Sequence, residues 1–194
     1  PVLKRDAAGA LVVSKVGNAF PDYTLTMNNS FKYKNFDLSF LFEYKKGGQG
    51  FDPGERNGIR GGTLKMTEER NVLQVLEGVK SDGSGGYVPN DKSIMVDANF
   101  YRNAIYNTAS EVLIQDTSWL KLRNVALTYN FNPKLISKLK LSSASISLNG
   151  GNFLLWTPYR GFDPEGSQFS AGSNVYGFSG LNVPLTQSYS LGVN

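Results

Sequence analysis

The sequence contains no cysteine and no histidine. Disulfides, thiolate nucleophiles, imidazole bases and the transition-metal centres built on these ligands are therefore excluded. Most hydrolase and metalloenzyme chemistry goes with them, so no catalytic residue, metal ligand or cofactor is expected. No run approaches the roughly 18 apolar residues of a membrane-spanning helix. Charge of one sign is not concentrated anywhere: 20 basic and 16 acidic residues are scattered, for a net charge of +4. A nucleic-acid partner is not expected, because tracking phosphates needs clustered Lys and Arg. The opening Pro1-Val-Leu-Lys-Arg-Asp has neither Met nor a signal-peptide pattern, as at a mature or internal start.

What is present is β-rich. Aromatics are 12% of residues (ten Tyr, twelve Phe, two Trp), Gly accounts for 21, and hydrophobic residues reach only 40%. Such side chains suit half-buried pleated surfaces, and Gly suits turns. The mean hydropathy of −0.27 does not exclude a membrane barrel, whose strands hide half their residues from lipid.

Five segments alternate with period two. In the first, Tyr23, Leu25, Met27 and Phe31 oppose Asp22, Thr24, Thr26, Asn28 and Ser30. In the second, Phe36, Leu38, Phe40, Phe42 and Tyr44 oppose Asp37, Ser39, Leu41, Glu43 and Lys45, and Lys32-Tyr33-Lys34-Asn35 links the two as a hairpin. The third, Trp119 to Phe131, sets Val125, Leu127, Tyr129 and Phe131 against Asn124, Ala126, Thr128 and Asn130. Its first half breaks phase, since Leu120 and Leu122 oppose Lys121 and Arg123, which a bulge or a portion beyond the membrane explains. The fourth, Ser143 to Phe153, puts Ala144, Ile146 and Leu148 against serines and Asn149. The fifth, Leu185 to Asn194, puts Leu185, Tyr189, Leu191 and Val193 against Thr186, Ser188, Ser190 and Asn194. Residues 11–13 read as part of an earlier strand.

The links alternate in length: about four residues, then about seventy, then about a dozen, then about thirty. Short turns at one end and long loops at the other describe an outer-membrane barrel, turns in the periplasm and loops outside. With the final strand running inward, the first hairpin turn and the Pro133 turn both fall on the periplasmic side. Tyr23 and Phe31 lie at opposite ends of one apolar face, roughly 26 Å apart along the strand. At a barrel tilt this nearly covers the ~25 Å apolar band and its aromatic girdles, and Phe36 and Tyr44 repeat the arrangement. The fold class expected is all-β: an antiparallel transmembrane β-barrel segment of about five to six strands with long extracellular loops. The competing architecture is a soluble β-sandwich whose apolar faces meet in a core.

Other motifs carry little chemistry. Asp163 and Glu165, flanked by Pro164 and Gly166, read as loop punctuation rather than a glycosidase pair. Thr67-Glu-Glu-Arg-Asn-Val-Leu-Gln-Val-Leu-Glu reads as a short loop helix capped by Thr67, with Val72, Val75, Leu76 and Val79 as its packing stripe. Asp82-Gly-Ser-Gly-Gly lacks the Lys of a phosphate loop and reads as a flexible tip. Asn28-Asn-Ser fits a glycosylation sequon but lies inside a strand. Candidate substrate-contacting residues are the loop aromatics Trp156, Tyr159, Phe162 and Tyr176, with Tyr101 and Tyr106 behind them, because sugars and peptides dock on exposed aromatic faces. Lys45, Lys46, Lys121, Arg123 and Arg160, near the outer rim, are candidates for pairing with lipopolysaccharide phosphates.

Four stretches, in order, carry a family resemblance. Pro21-Asp-Tyr-Thr-Leu with Phe31-Lys-Tyr-Lys-Asn-Phe-Asp-Leu-Ser-Phe is similar to a P-D-[WYF] hairpin. Asp116-Thr-Ser-Trp-Leu-Lys-Leu-Arg-Asn-Val-Ala-Leu-Thr-Tyr-Asn-Phe is similar to a Y/W-hydrophobic-K/R-L-R-x-V-x-L-x-Y strand. Asn149-Gly-Gly-Asn-Phe-Leu-Leu-Trp-Thr-Pro-Tyr-Arg-Gly-Phe-Asp-Pro-Glu matches a G-x-N-L…Y-x-G-x-D-P-E segment, and Val183-Pro-Leu-Thr-Gln-Ser-Tyr-Ser-Leu-Gly-Val-Asn matches a closing strand. Together, from Phe20 onward, they resemble the SusC/RagA-like TonB-dependent outer-membrane transporters.

The resemblance implies that residues 1–194 are the C-terminal part of a larger barrel, with a plug and earlier strands preceding it. It also implies energised import of large nutrients, oligosaccharides or peptides, through the bacterial outer membrane. The implied partners are a SusD-like surface lipoprotein, the TonB complex acting on the N-terminal part, and outer-membrane lipid. Lumen-facing Asp22, Asp37, Glu43, Asn124 and Asn130 would line the wet interior. The family's closing strand usually ends on an aromatic, so a few residues are expected beyond Asn194. The alternative function is a soluble β-sandwich module holding glycans on its loop aromatics.

Overall fold

The computed structural model describes residues 5–103, 109–169, 172–179 and 182–194. The chain forms two compact units, Asn18–Gly50 with Gln115–Asn194, and Pro1–Gly17 with Phe51–Ile114.

The first of these is a sheet of five strands: β1 (Pro21–Tyr33), β2 (Phe36–Gly47), β9 (Trp119–Asn130), β10 (Ser145–Trp156) and β11 (Ser188–Val193). They lie in the order β1-β2-β9-β10-β11, and every pair is antiparallel. The periodicity of the sequence sets the register, because a slip of one residue would carry every apolar side chain to the wrong face. Phe31 stands opposite Leu38, Leu38 opposite Leu127, Leu127 opposite Leu148 and Leu148 opposite Leu191. One apolar row thus crosses all five strands. On the other face Ser30, Ser39, Ala126, Asn149 and Ser190 make the corresponding row.

The phase break in β9 is a bulge. Leu41 pairs with Asn124 and Phe42 with Leu122, leaving Arg123 as the extra residue. The neighbouring ladder shifts at the same level, between Gly151 and Leu154. Beyond the bulge the even-numbered Leu122 and Leu120 join the apolar face, opposite Phe42 and Tyr44. Lys121 then falls on the polar face with its partner Glu43.

Both short connections lie at one end of the sheet. The first hairpin is tighter than the expected four-residue link: Tyr33 pairs with Phe36, and Lys34 takes a φ of 53° between them. The second runs through a helical turn, Pro133–Ile136, capped by Asn132, whose side chain accepts from the Lys134 N–H at 3.0 Å. The Asn130 N–H donates to the Asn35 carbonyl at 2.8 Å, which ties the two connections together. The long connections leave from the other end.

The second unit carries α1 (Pro53–Gly61), α2 (Ala98–Asn103) and the short strands β4 (Val72–Val75), β5 (Val79–Ser81), β6 (Tyr87–Pro89) and β7 (Ser93–Val96). β4 pairs with β7, and β5 with β6. Two further short strands, β3 (Gln49–Phe51) and β8 (Ile114–Asp116), pair with each other. Asp52 caps α1, accepting from Gly54 N–H at 2.8 Å and Glu55 N–H at 3.0 Å, and Pro53 fills the first turn, where no N–H is needed. Ile59, Val96, Tyr101 and Leu113 form the core of this unit, with Phe51, Leu64, Ile94 and Phe100 packed against them.

Two expectations are corrected by the structure. The segment after Thr67 is not a helix: a single 3-10 turn, Lys65–Thr67, is followed by β4 and β5. Its valines carry the β-branched preference for strands over helices. The Asp82 tip is a turn closed by its own carboxylate, which accepts from Ser84 N–H at 2.8 Å and Gly86 N–H at 2.9 Å. Residues 11–13 form no strand; Leu11 makes one isolated bridge to Arg5, and Val13 is exposed.

Candidate functional site

The polar face is most elaborate at the end from which the long loops leave. There β2 supplies Glu43 and Lys45, and β9 supplies Trp119, Lys121 and Arg123. Alternation places Lys45 beside Trp119 and Glu43 beside Lys121, and the bulge delivers Arg123 to the same group. The Lys121 ammonium lies 5.3 Å and the Arg123 guanidinium 5.0 Å from the Trp119 ring centre, within cation–π range.

The loop after β10 brings the opposite charges. Lys121 Nζ donates to Asp163 Oδ1 at 2.9 Å and also to Glu165 Oε2, while Arg123 bridges Glu165 Oε1 and Glu43 Oε2. Lys121 is only 5% exposed and Asp163 only 9%, so these are not surface pairs in free exchange with water. Burial pushes the Asp163 carboxyl up, but the Glu165 N–H and Lys121 together outweigh it and hold it below the usual carboxylate range. Glu165 behaves likewise: burial raises it, and the hydrogen bonds and charges of Arg123 and Lys121 bring it below its ordinary value.

More of the same loop is fixed to this end of the wall. Thr157 Oγ1 donates to the Ser118 carbonyl at 2.7 Å, and the Arg160 N–H donates to Gln115 Oε1 at 2.9 Å. The Tyr159 and Ser179 hydroxyls meet at 2.7 Å, both buried. At Gly177, with φ 78°, a side chain would stand 2.9 Å from the Ala19 Cβ, so only glycine lets the loop lie this close. Between loop and wall a cleft of about 310 Å³ remains, its walls including Lys45, Thr117, Trp119, Glu165 and Tyr176.

The candidate aromatics separate into distinct environments. Tyr176 is 59% exposed on the cleft, 5.3 Å from the Phe20 ring, and Phe162 is 69% exposed. Tyr159 is inward, held by Ser179. Tyr101 is a core residue of the other unit, its hydroxyl donating to the Met66 and Glu69 carbonyls. Neither presents an exposed face, because a phenol with a partner is at ease in a core. Trp156 pairs with Leu120, which pairs with Tyr44, so it stands on the apolar face, a girdle position rather than a loop position. Tyr106 lies outside the described residues.

Lys121 and Arg123 are corrected as partners of lipopolysaccharide: both are on the polar face and already held by carboxylates. Among the lumen candidates, Asp37 accepts from Asn130 Nδ2 at 2.7 Å and Glu43 from Arg123. In the sequence Trp119 carries no functional signal, and Asp163 and Glu165 read as loop punctuation. The signal for the latter was two carboxylates in a loop and two cations spaced i, i+2 in a strand, which only the fold brings together.

No protein-family model matches the chain. Two receptors of Formosa agariphila, TonB-dependent receptor P26 and TonB-dependent receptor P3, are 26% and 24% identical to it, each over 92% of the chain. The chain spans 17% of the length of either. Among solved structures, the RagAB peptide importer in its closed-closed state is similar over 98% of this chain and 20% of that one, with a TM-score of 0.57 and 21% identity. Its open-open state gives 0.56 and 20% identity over 98% of this chain and 18% of that one. These relatives are receptors and importers, proteins of the bacterial outer membrane, and none is an enzyme. Sequence likeness along nearly the whole chain, a five-stranded sheet with one greasy and one wet face, and the likeness of fold agree: the chain is similar to a barrel segment of TonB-dependent receptors and shares the fold of the RagAB importer.

Proposed function

We propose that this chain forms part of the wall of an outer-membrane importer of large nutrients, oligosaccharides or peptides, energised through TonB. The observation that carries this reading is the apolar row Phe31, Leu38, Leu127, Leu148, Leu191. Of these, Phe31, Leu127, Leu148 and Leu191 are between 40% and 63% exposed. Water does not tolerate a greasy face of that breadth, whereas lipid requires it. In this reading the segment is the C-terminal part of the barrel, and earlier strands of the same receptor pair with its open edges, since an unpaired edge is not viable in hydrocarbon.

A SusD-like lipoprotein covers the outer mouth, and TonB acts on the plug. Phe162 and Tyr176 remain the aromatics offered to substrate. Lys46 shares the lipid-side face with Tyr23, its partner in the ladder, and is the rim cation placed for lipopolysaccharide phosphate. The sandwich alternative has no use for an apolar face exposed along five strands.

The test is uptake. A strain lacking the receptor that carries this chain should lose uptake of its high-molecular-weight nutrient. The intact receptor should restore it, and a receptor without the TonB-contacting segment should not. Unchanged uptake in the deletion strain would refute the reading.

A further inference from the structure

The rim cleft holds one charge that the ion network does not use. Arg123 takes Glu43 and Glu165, and Lys121 takes Asp163 and Glu165. Both Glu165 oxygens are thereby occupied. Asp116 turns its Oδ1 to the Ser118 N–H at 2.7 Å and to the Ser118 hydroxyl. Lys45, half-buried on the same face, forms no ion pair among the described residues; its Nζ donates to Thr117 Oγ1 at 3.3 Å. Glu165 and Asp116 lie near enough for their charge to be felt there, but neither pairs with it, and a half-buried ammonium without a paired anion is held at a cost that an incoming anion would relieve.

The rest of the cleft suits a polar monomer. Tyr176 offers an exposed ring, and Thr117 and Ser167 add hydroxyls to walls that also include Gly50, Gly166 and Gly177. Its volume of about 310 Å³ is at the small end of the ~300–1,000 Å³ usual for ligand pockets. That is room for one unit of an oligomer rather than for the whole.

We propose that this cleft is a subsite for a carboxylate carried by the imported oligomer, with Lys45 receiving the carboxylate and Tyr176 lying under the unit that bears it. The proposal rests on the importer reading and sharpens it. A uronic-acid unit and a peptide C-terminus both present this group, and the test separates them.

The full-length receptor, purified in detergent, is titrated calorimetrically with two matched pairs. One pair is tetragalacturonate and its methyl ester; the other is hexa-alanine with a free and with an amidated C-terminus. In one pair the acid form should bind at least about tenfold more tightly, as expected of a charge-assisted hydrogen bond, and the pair that does so identifies the source. Lys45→Met should abolish that preference and Lys45→Arg should keep it. Tyr176→Ala should weaken acid and neutral forms together. Normal outer-membrane levels of each variant show that the barrel is intact.

Equal binding of acid and neutral forms in both pairs, no binding by either acid, or a preference that survives Lys45→Met would overturn the subsite. Uptake in the deletion strain separates the two levels: if uptake needs the receptor while the acid preference is absent, the importer stands and the subsite falls.

Discussion

Lys121 shows what a single side chain does at this rim. Its side chain is 6% exposed, and it holds both Asp163 and Glu165. Removing one partner of such a group leaves uncompensated buried charge, at a typical cost of about 3–5 kcal/mol. Lys121→Met should therefore free the loop between β10 and β11 without unfolding the sheet. Limited proteolysis of the full receptor in membranes should show new cleavage within residues 157–187 while the barrel stays intact; an unchanged digestion pattern would count against Lys121 as the residue that holds the loop.

Acid should do the same to the unmodified protein. Asp163 and Glu165 are held below their ordinary values, so their contribution is complete above the usual carboxylate range near pH ~4 and is lost as pH falls through the lowered values.

At the scale of elements, the alternating strands were legible because period two leaves a direct trace in sequence, and β1, β2 and β9 follow it closely. The phase break at Leu120 to Arg123 was legible too, and it is the bulge that brings Arg123 to the network. α1 does not stand out in the sequence although Asp52, Pro53 and Gly62 mark its ends, since its short amphipathic pattern lies within a long loop. The segment after Thr67 was misread because apolar spacing alone does not separate a short helix from two valine-rich strands. The ion network was not legible at all. Its partners lie 42 and 80 residues apart, and only the pairing of β2 with β9 and the return of the β10 loop bring them together.

The inward turn of Tyr159 and Tyr101 was hidden for the same reason, because their partners are chosen by the fold. The two faces of β9 make a paired prediction. Leu127→Arg places a cation against lipid, costing about 2–4 kcal/mol near the bilayer midplane, and should lower outer-membrane assembly of the receptor. Ala126→Arg, one residue away on the wet face, should leave assembly unchanged, as heat-modifiable gel mobility and surface levels will show. Equal effects at the two positions would contradict the assigned faces.

For the whole molecule, the chain supplies five strands whose outer members, β1 and β11, each have one neighbour in the sheet, and it spans 17% of the length of its sequence relatives. The two faces of this wall can be measured residue by residue. The most direct measurement uses nitroxide labels placed singly at positions 36 to 44 of β2 in the full receptor in membranes. Collisions with oxygen, which partitions into lipid, are compared with collisions with a water-soluble nickel complex. Oxygen maxima are expected at Phe36, Leu38, Phe40, Phe42 and Tyr44, alternating with nickel maxima at Asp37, Ser39, Leu41 and Glu43. A profile without that alternation, or one with its phase reversed, would contradict the assigned faces.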